Sequence, residues 1–340
     1  MAQTNMAKVV VTGGLGFIGS HVVDAYLAAG DSVTVVDSTV SAVTDGSEYE
    51  GHPRCDVIRK SIEGFFEDGG SFKGADRVVH AAAHVGPAGI LQYAGRLGSD
   101  MVRSTELVIE ECLRSDSPLC VFSSAEVYGR SGLLGEKDDI RVPTGYNARI
   151  EYAIAKTLTE AMTVNSLGRG LRAFVIRPFN IAGPRQSRAG GFVMPTFVQQ
   201  ALAGRPITVF ETGEQVRAFT SATDLSRFLT DHWDAALASG NHIFNIGNPE
   251  NRTTVRDLAE RVKALLGSPS EIVHTDGKEV YGPDYMEAES FEKVPVLEAG
   301  PNAGWRPRIT LDELIIETAN FYRGREDYRQ ERETRVDEVA

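Results

Sequence analysis

Lys8-Val9-Val10-Val11-Thr12-Gly13-Gly14-Leu15-Gly16-Phe17-Ile18-Gly19 is the stretch whose reading decides the fold. A short apolar run enters a turn punctuated by Gly13, Gly16 and Gly19, after which Phe17, Val22, Val23, Tyr26 and Leu27 recur at helical spacing. A second apolar run, Val33-Thr34-Val35-Val36, then ends on Asp37, about twenty residues past the last glycine. Strand, glycine turn, helix, strand and carboxylate, in that order, are what a dinucleotide needs. Glycines let the backbone approach a pyrophosphate, whose charge meets the amides at a helix start, and the carboxylate accepts ribose hydroxyls. A carboxylate also repels a ribose phosphate. No Arg or Lys follows in Ser38-Thr39-Val40-Ser41, so the sequence predicts NAD rather than NADP.

Working outward, strand-like runs at Arg77 to Ala81, Leu119 to Ser123 and Arg172 to Ile176 alternate with helical patterns, one of them near Met101 to Arg114. That alternation predicts an α/β fold with a doubly wound parallel sheet, whose ligands bind beyond the carboxyl ends of the strands. After Arg177-Pro178 the elements shorten. Helices are expected at Phe192 to Leu202, Thr254 to Leu266 and Leu311 to Tyr322, with a strand at Ile207 to Phe210. With 340 residues the chain can hold a second, smaller unit, and 42% hydrophobic and 24% charged residues are globular values. A net charge of -12 argues against a nucleic-acid surface or an anionic membrane as partner. Cys55, Cys112 and Cys120 have no metal-ligand spacing and read as reduced thiols, and no signal-peptide core or apolar span is present. A soluble, cytoplasmic protein without a metal is expected.

The chemistry centres on Tyr152-Ala153-Ile154-Ala155-Lys156, which puts a phenol and an ammonium on one helix face. A nearby ammonium favours the phenolate, so Tyr152 could act as a base toward a hydroxyl while a hydride leaves the same carbon. By itself the spacing also fits an amphipathic helix with a snorkelling lysine. Upstream, Phe122-Ser123-Ser124-Ala125-Glu126-Val127-Tyr128-Gly129 offers the Ser124 hydroxyl to steady that oxygen.

With the glycine turn, Ser124, Tyr152 and Lys156 resemble the extended short-chain dehydrogenase/reductases that modify nucleotide sugars, over roughly residues 8 to 322. The resemblance implies a Rossmann-type sheet over residues 1–177 holding NAD and the catalytic Ser/Tyr/Lys. It assigns 178–325 mainly to a smaller C-terminal α/β substrate domain, partly interleaved with the first, and leaves 326–340 as a charged tail. For the cofactor it implies Gly13, Gly16, Phe17, Ile18, Gly19, Asp37, Asp56, Val57, Ala81, Ala82, Ala83, Tyr152 and Lys156. For the substrate diphosphate, Ile176 to Gln186 looks like a segment carrying Asn180 and Arg185, and Gln215 to Phe219 like one carrying Arg217. A guanidinium suits phosphate through its planar donor fork.

Family resemblance also implies a common opening step, oxidation at sugar C4, with epimerisation, dehydration or decarboxylation to follow. Glu126 before Val127-Tyr128-Gly129, and Arg149 three residues before Tyr152, resemble UDP-glucuronate decarboxylases. Tyr281-Gly282-Pro283-Asp284-Tyr285 followed by Glu292-Lys293 resembles their carboxylate-binding segment, with Lys293 where an Arg is usual. UDP-glucuronate decarboxylation to a 4-keto-pentose or xylose product is therefore the leading expectation. UDP-sugar 4-epimerisation, 4,6-dehydration and a non-catalytic NAD-sensing role follow in that order. Met101 and Ala155 stand where family members usually carry Asn and Ser. A homodimer is expected, paired through helices near 101–114 and 152–167.

Overall fold

A computed structural model of the chain describes residues 6–142, 147–278 and 291–324. Its organising element is β1 (Lys8–Thr12), whose valines are buried on both faces and so demand cover from both sides. Its neighbours are β2 (Ser32–Asp37) and, on the other side, β4 (Arg77–His80), both parallel to it. Beyond β2 lies β3 (Cys55–Arg59), and beyond β4 lie β5 (Leu119–Phe122), then strands Ala173–Pro178 and Ile243–Ile246, every pairing parallel. The strand order reverses direction at β1. A crevice therefore opens at the carboxyl ends of β1 and β4, and every ligand-directed feature described below faces it.

Helix α1 (Phe17–Ala29) starts at Gly16 and stops at Gly30, which takes φ of 94° to end the helix. Tyr26 on its inner face is fully buried and donates to the Leu229 carbonyl at 2.8 Å, fixing α1 to the helix Ala222–Asp231. Helices α2 (Ile62–Glu67), α3 (Gly86–Gln92), α4 (Leu97–Ser115) and α5 (Ala148–Ser166) follow, and Asn147 caps α5 by accepting from the Ile150 amide. The chain after residue 178 is woven into both lobes: Ile243–Ile246 completes the large sheet, and Ala222–Asp231 covers it. In return, Gly132–Leu134 from the first half joins a four-stranded sheet with Glu292–Pro295, Val216–Ala218 and Arg252–Thr254. A second core packs helices Val193–Leu202, Val255–Leu266 and Leu311–Arg323 around Ile207 and Val209.

The three cysteines are free thiols, two of them buried. Among the described residues no group of acidic, His or Cys side chains could hold a metal ion, and no helix is long and apolar enough to cross a membrane. The tail 326–340 and the Tyr281–Tyr285 segment lie outside the described residues.

Trp305 joins the late chain to the first core: it is fully buried, its ring lies edge-on to Phe228 at 5.7 Å, and its Nε1 donates to the Asp224 carbonyl at 3.1 Å. Trp305→Ala removes both contacts and is expected to cost about 3–5 kcal/mol in denaturant unfolding.

Candidate active site

The glycine turn is shaped by what it lacks. Gly13 has φ of +72°, and a Cβ there would lie 2.7 Å from the Ala82 backbone; a Cβ on Gly19 would lie 2.0 Å from the Gly13 carbonyl oxygen. β1, β4 and α1 thus meet at main-chain contact, leaving a cradle for a pyrophosphate at the helix start. Asp37, buried at the end of β2, accepts from the Leu15 amide at 2.9 Å and the Thr39 amide at 2.7 Å, bracing the turn. Gly13, Gly16, Phe17, Ile18, Gly19, Asp37, Ala81, Ala82 and Ala83 line one continuous cleft of about 1510 Å³. These residues fit a dinucleotide.

Two expected cofactor residues lie elsewhere. Asp56 is exposed in the body of β3, and Val57 packs on the core, because the strand runs on to Arg59 before its carboxyl end. Lys60, Ser61 and Ile62, beyond that end, form the cleft edge instead.

Farther along the cleft, Ser124, Glu126, Arg149, Tyr152, Lys156, Asn180, Arg217 and Lys293 converge. Ser124 caps a turn of 3-10 helix, Ala125–Tyr128, by accepting from the Glu126 amide at 3.2 Å, which directs both side chains from the end of β5 into the cleft. Burial pushes the Tyr152 phenol well above its ordinary range; a hydrogen bond with Ser124 draws it back, and the Glu126 charge raises it. The expected ammonium beside the phenol is placed differently. Lys156 Nζ donates to the Phe122 carbonyl at 2.7 Å and sits 5.9 Å from the Tyr152 ring centre. Burial brings Lys156 itself down to about 8, with Glu160 acting in the opposite direction.

Glu126 is the electrostatic hub. Lys293 Nζ lies 2.5 Å and Arg149 Nη1 3.4 Å from its Oε1, and Arg217 adds a more distant positive charge. Burial opposes ionisation, yet Lys293 and Arg149 outweigh it and hold the carboxyl at about 2. Arg217 Nη1 also donates to the carbonyls of Val216 at 2.8 Å and Phe291 at 3.2 Å, which anchors it at the cleft wall. Asn180 adopts φ of 40° and donates to the Ala218 carbonyl at 3.3 Å.

Arg185 is turned away from the cleft. Its guanidinium pairs with Asp24 on α1 at 2.5 Å, alongside the Tyr49 hydroxyl, which donates to the same carboxylate at 2.9 Å. With its backbone at φ of 68°, this residue links α1 to the loop after residue 183 and is not among the residues lining the cleft.

The sequence reading did not single out several cleft residues. His84 stacks on Tyr93 at 3.9 Å over the crevice, Phe192 lines the cleft, and Gln200 exchanges two hydrogen bonds with Thr208 at 3.0 and 3.1 Å. Gly86, at φ of +80°, opens α3 there, and a Cβ on it would lie 2.6 Å from the Phe192 ring.

A glycine cradle facing a Ser–Tyr–Lys set across one cleft defines a dinucleotide-dependent enzyme of the short-chain dehydrogenase type. The profile of the NAD dependent epimerase/dehydratase family matches residues 9–247, and the chain belongs to that family. NAD is its cofactor. The UDP-N-acetyl-alpha-D-glucosaminuronate decarboxylase of Bacillus cytotoxicus is 28% identical over 93% of this chain and 98% of its own length. The UDP-glucuronic acid decarboxylase 1 of Xenopus tropicalis is 26% identical over 95% of this chain and 74% of its own. Among solved structures, the UDP-glucose 4-epimerase of Thermotoga maritima with UDP-glucose superposes with a TM-score of 0.79 at 25% identity, covering 93% of this chain and 98% of that one.

The folded-state pKa of Glu126 is depressed from 4.5 to about 2, so its pairing stabilises the fold above the first value and is lost as pH falls toward the second. Glu126→Gln removes the carboxylate from beside two buried cations and is expected to lower stability at neutral pH by about 3 kcal/mol. Unfolding measured across acid pH should show the difference from wild type shrinking through that window.

Proposed function

We propose that this enzyme decarboxylates a UDP-uronate, with UDP-glucuronate the first candidate, through a 4-keto sugar. The observation that carries this reading is the convergence of Lys293 and Arg149, both buried, on the wall beside Ser124 and Tyr152. A C6 carboxylate would find cationic donors there, which a neutral sugar C6 hydroxyl does not require. Relatives named as uronate decarboxylases over nearly the whole chain support the same choice.

In this mechanism Asn180 and Arg217 hold the diphosphate, and Ser124 orients the sugar 4-hydroxyl toward Tyr152. Tyr152 takes the hydroxyl proton as the C4–H bond breaks. Bound NAD supplies the hydride acceptor and, for a re-reduced product, the donor. With C4 a ketone, the C6 carboxylate is beta to a carbonyl; the C5–C6 bond breaks, carbon dioxide leaves, and its electron pair moves onto the C4 oxygen. Ser124 and Tyr152 donate hydrogen bonds to that oxygen. A proton added at C5 completes the 4-keto-pentose.

Lys293 offers the carboxylate a point charge rather than a two-pronged guanidinium, and Arg149 supplies a planar fork beside it. UDP-sugar 4-epimerisation is the second reading. It is favoured by the Glu126–Lys293 pair, which satisfies the cation internally and leaves room for a neutral sugar. We also place the enzyme in the cytoplasm, in keeping with three free thiols, and propose that it is a homodimer through α4 and α5. These helices run side by side and carry Ile154 and Leu158 on the outer face, 39% and 45% exposed.

Incubation with UDP-glucuronate, UDP-N-acetylglucosaminuronate and UDP-glucose in parallel, with products identified by mass and NMR, tests the reading. Release of carbon dioxide from a uronate is expected, and its absence from both uronates removes decarboxylation. Lys293→Met is expected to lower kcat/KM for the uronate by about 10²-fold while affecting UDP-glucose binding much less. Tyr152→Phe should lower turnover by about 10³-fold with NAD still bound.

A further inference from the structure

A second buried charge pair lies behind the catalytic face of α5. Glu160, one helical turn past Lys156, accepts from Arg177 Nε at 2.8 Å and Nη2 at 2.7 Å, and both side chains are only 4% exposed. Burying an ion pair this completely costs desolvation that a hydrophobic pair avoids, so stability alone gives little reason for it here. Its surroundings connect it to the site. The Arg177 guanidinium lies over the Tyr128 ring at 4.8 Å, and Tyr128 ends the 3-10 turn that begins at Ser124 and carries Glu126. The Tyr128 hydroxyl donates to Asn245 at 2.7 Å. Asn245 in turn donates to the carbonyls of Leu134 at 2.9 Å and Val296 at 3.0 Å, which flank the strand bearing Lys293.

We infer that Glu160 and Arg177 are positioning residues of the catalytic centre: their ion pair braces the Ser124–Tyr128 turn against α5 through the Tyr128 ring and places a carboxylate one helical turn behind Lys156. Glu160 is the one carboxylate acting on Lys156 from its own helix. From β4 the lysine faces buried His80, which burial and Lys156 together push down to about 3 and keep neutral, and from β5 it meets only the Phe122 carbonyl. The Tyr152 phenol shares the helix face and is neutral at ordinary pH. Arg177 keeps Glu160 aimed and partly offsets its charge. Removing either partner therefore changes what Lys156 feels, in opposite directions.

NAD affinity measured against pH reads this without any sugar, so the outcome does not depend on the substrate assignment. Wild-type affinity is expected to fall as pH rises through about 8, where Lys156 loses its proton. In Glu160→Gln the fall should begin on the order of one pH unit lower, and in Arg177→Met it should begin higher. Glu160→Asp, which keeps the charge, should stay nearest the wild type. Where a single variant does not fold by thermal unfolding, Glu160→Met with Arg177→Met leaves no buried charge unpaired and is expected to show the lower onset. Turnover on whichever UDP-sugar the wild type accepts should shift in parallel. Folded variants whose profiles coincide with the wild type's, whatever stability they have lost, overturn the inference.

Discussion

One half-buried carboxylate ties the two lobes together. Glu126 leaves the large sheet at the end of β5, whereas Lys293 belongs to the smaller sheet, and their 2.5 Å contact closes the cleft across the middle. Lys293 is buried, where an unpaired ion costs several kcal/mol, and the Glu126 carboxylate offsets part of that cost. Separating the lobes would break this contact, and Ser124, two residues before Glu126, sits on the same turn. A substrate anion entering this space meets cations already arranged, with their attraction undiminished by bulk water.

Much of the sheet was legible because its strands are short apolar runs bounded by glycine and polar residues. β1, β2, β4 and β5 could be read this way, and the glycine spacing located the cradle. Legibility failed where a residue's meaning depends on where a strand ends. Asp56 fits a motif by identity, but β3 extends to Arg59, which leaves the carboxylate pointing to solvent in mid-strand. It failed again at Arg185, whose left-handed backbone and Asp24 partner, 161 residues away, are long-range facts. The pairing of Glu126 with Lys293 spans 167 residues and belongs to the same category.

The departures from the family pattern also become intelligible together. Met101 and Ala155 pack in one apolar cluster with Tyr152, Leu97 and Ile90. Both residues therefore form part of the apolar flank of the phenol.

The cradle formed by Gly13 and Gly19 recognises its ligand chiefly through main-chain amides, and what it requires of sequence is the absence of side chains at two points. Such a requirement is met by very few positions and leaves the flanking ones free to drift. Kinship across this family can consequently fade to about a quarter of positions, as in the 25% and 28% identities to proteins of the same architecture, while the nucleotide seat stays intact. Ancestry is recorded here in empty space, and divergence accumulates around it.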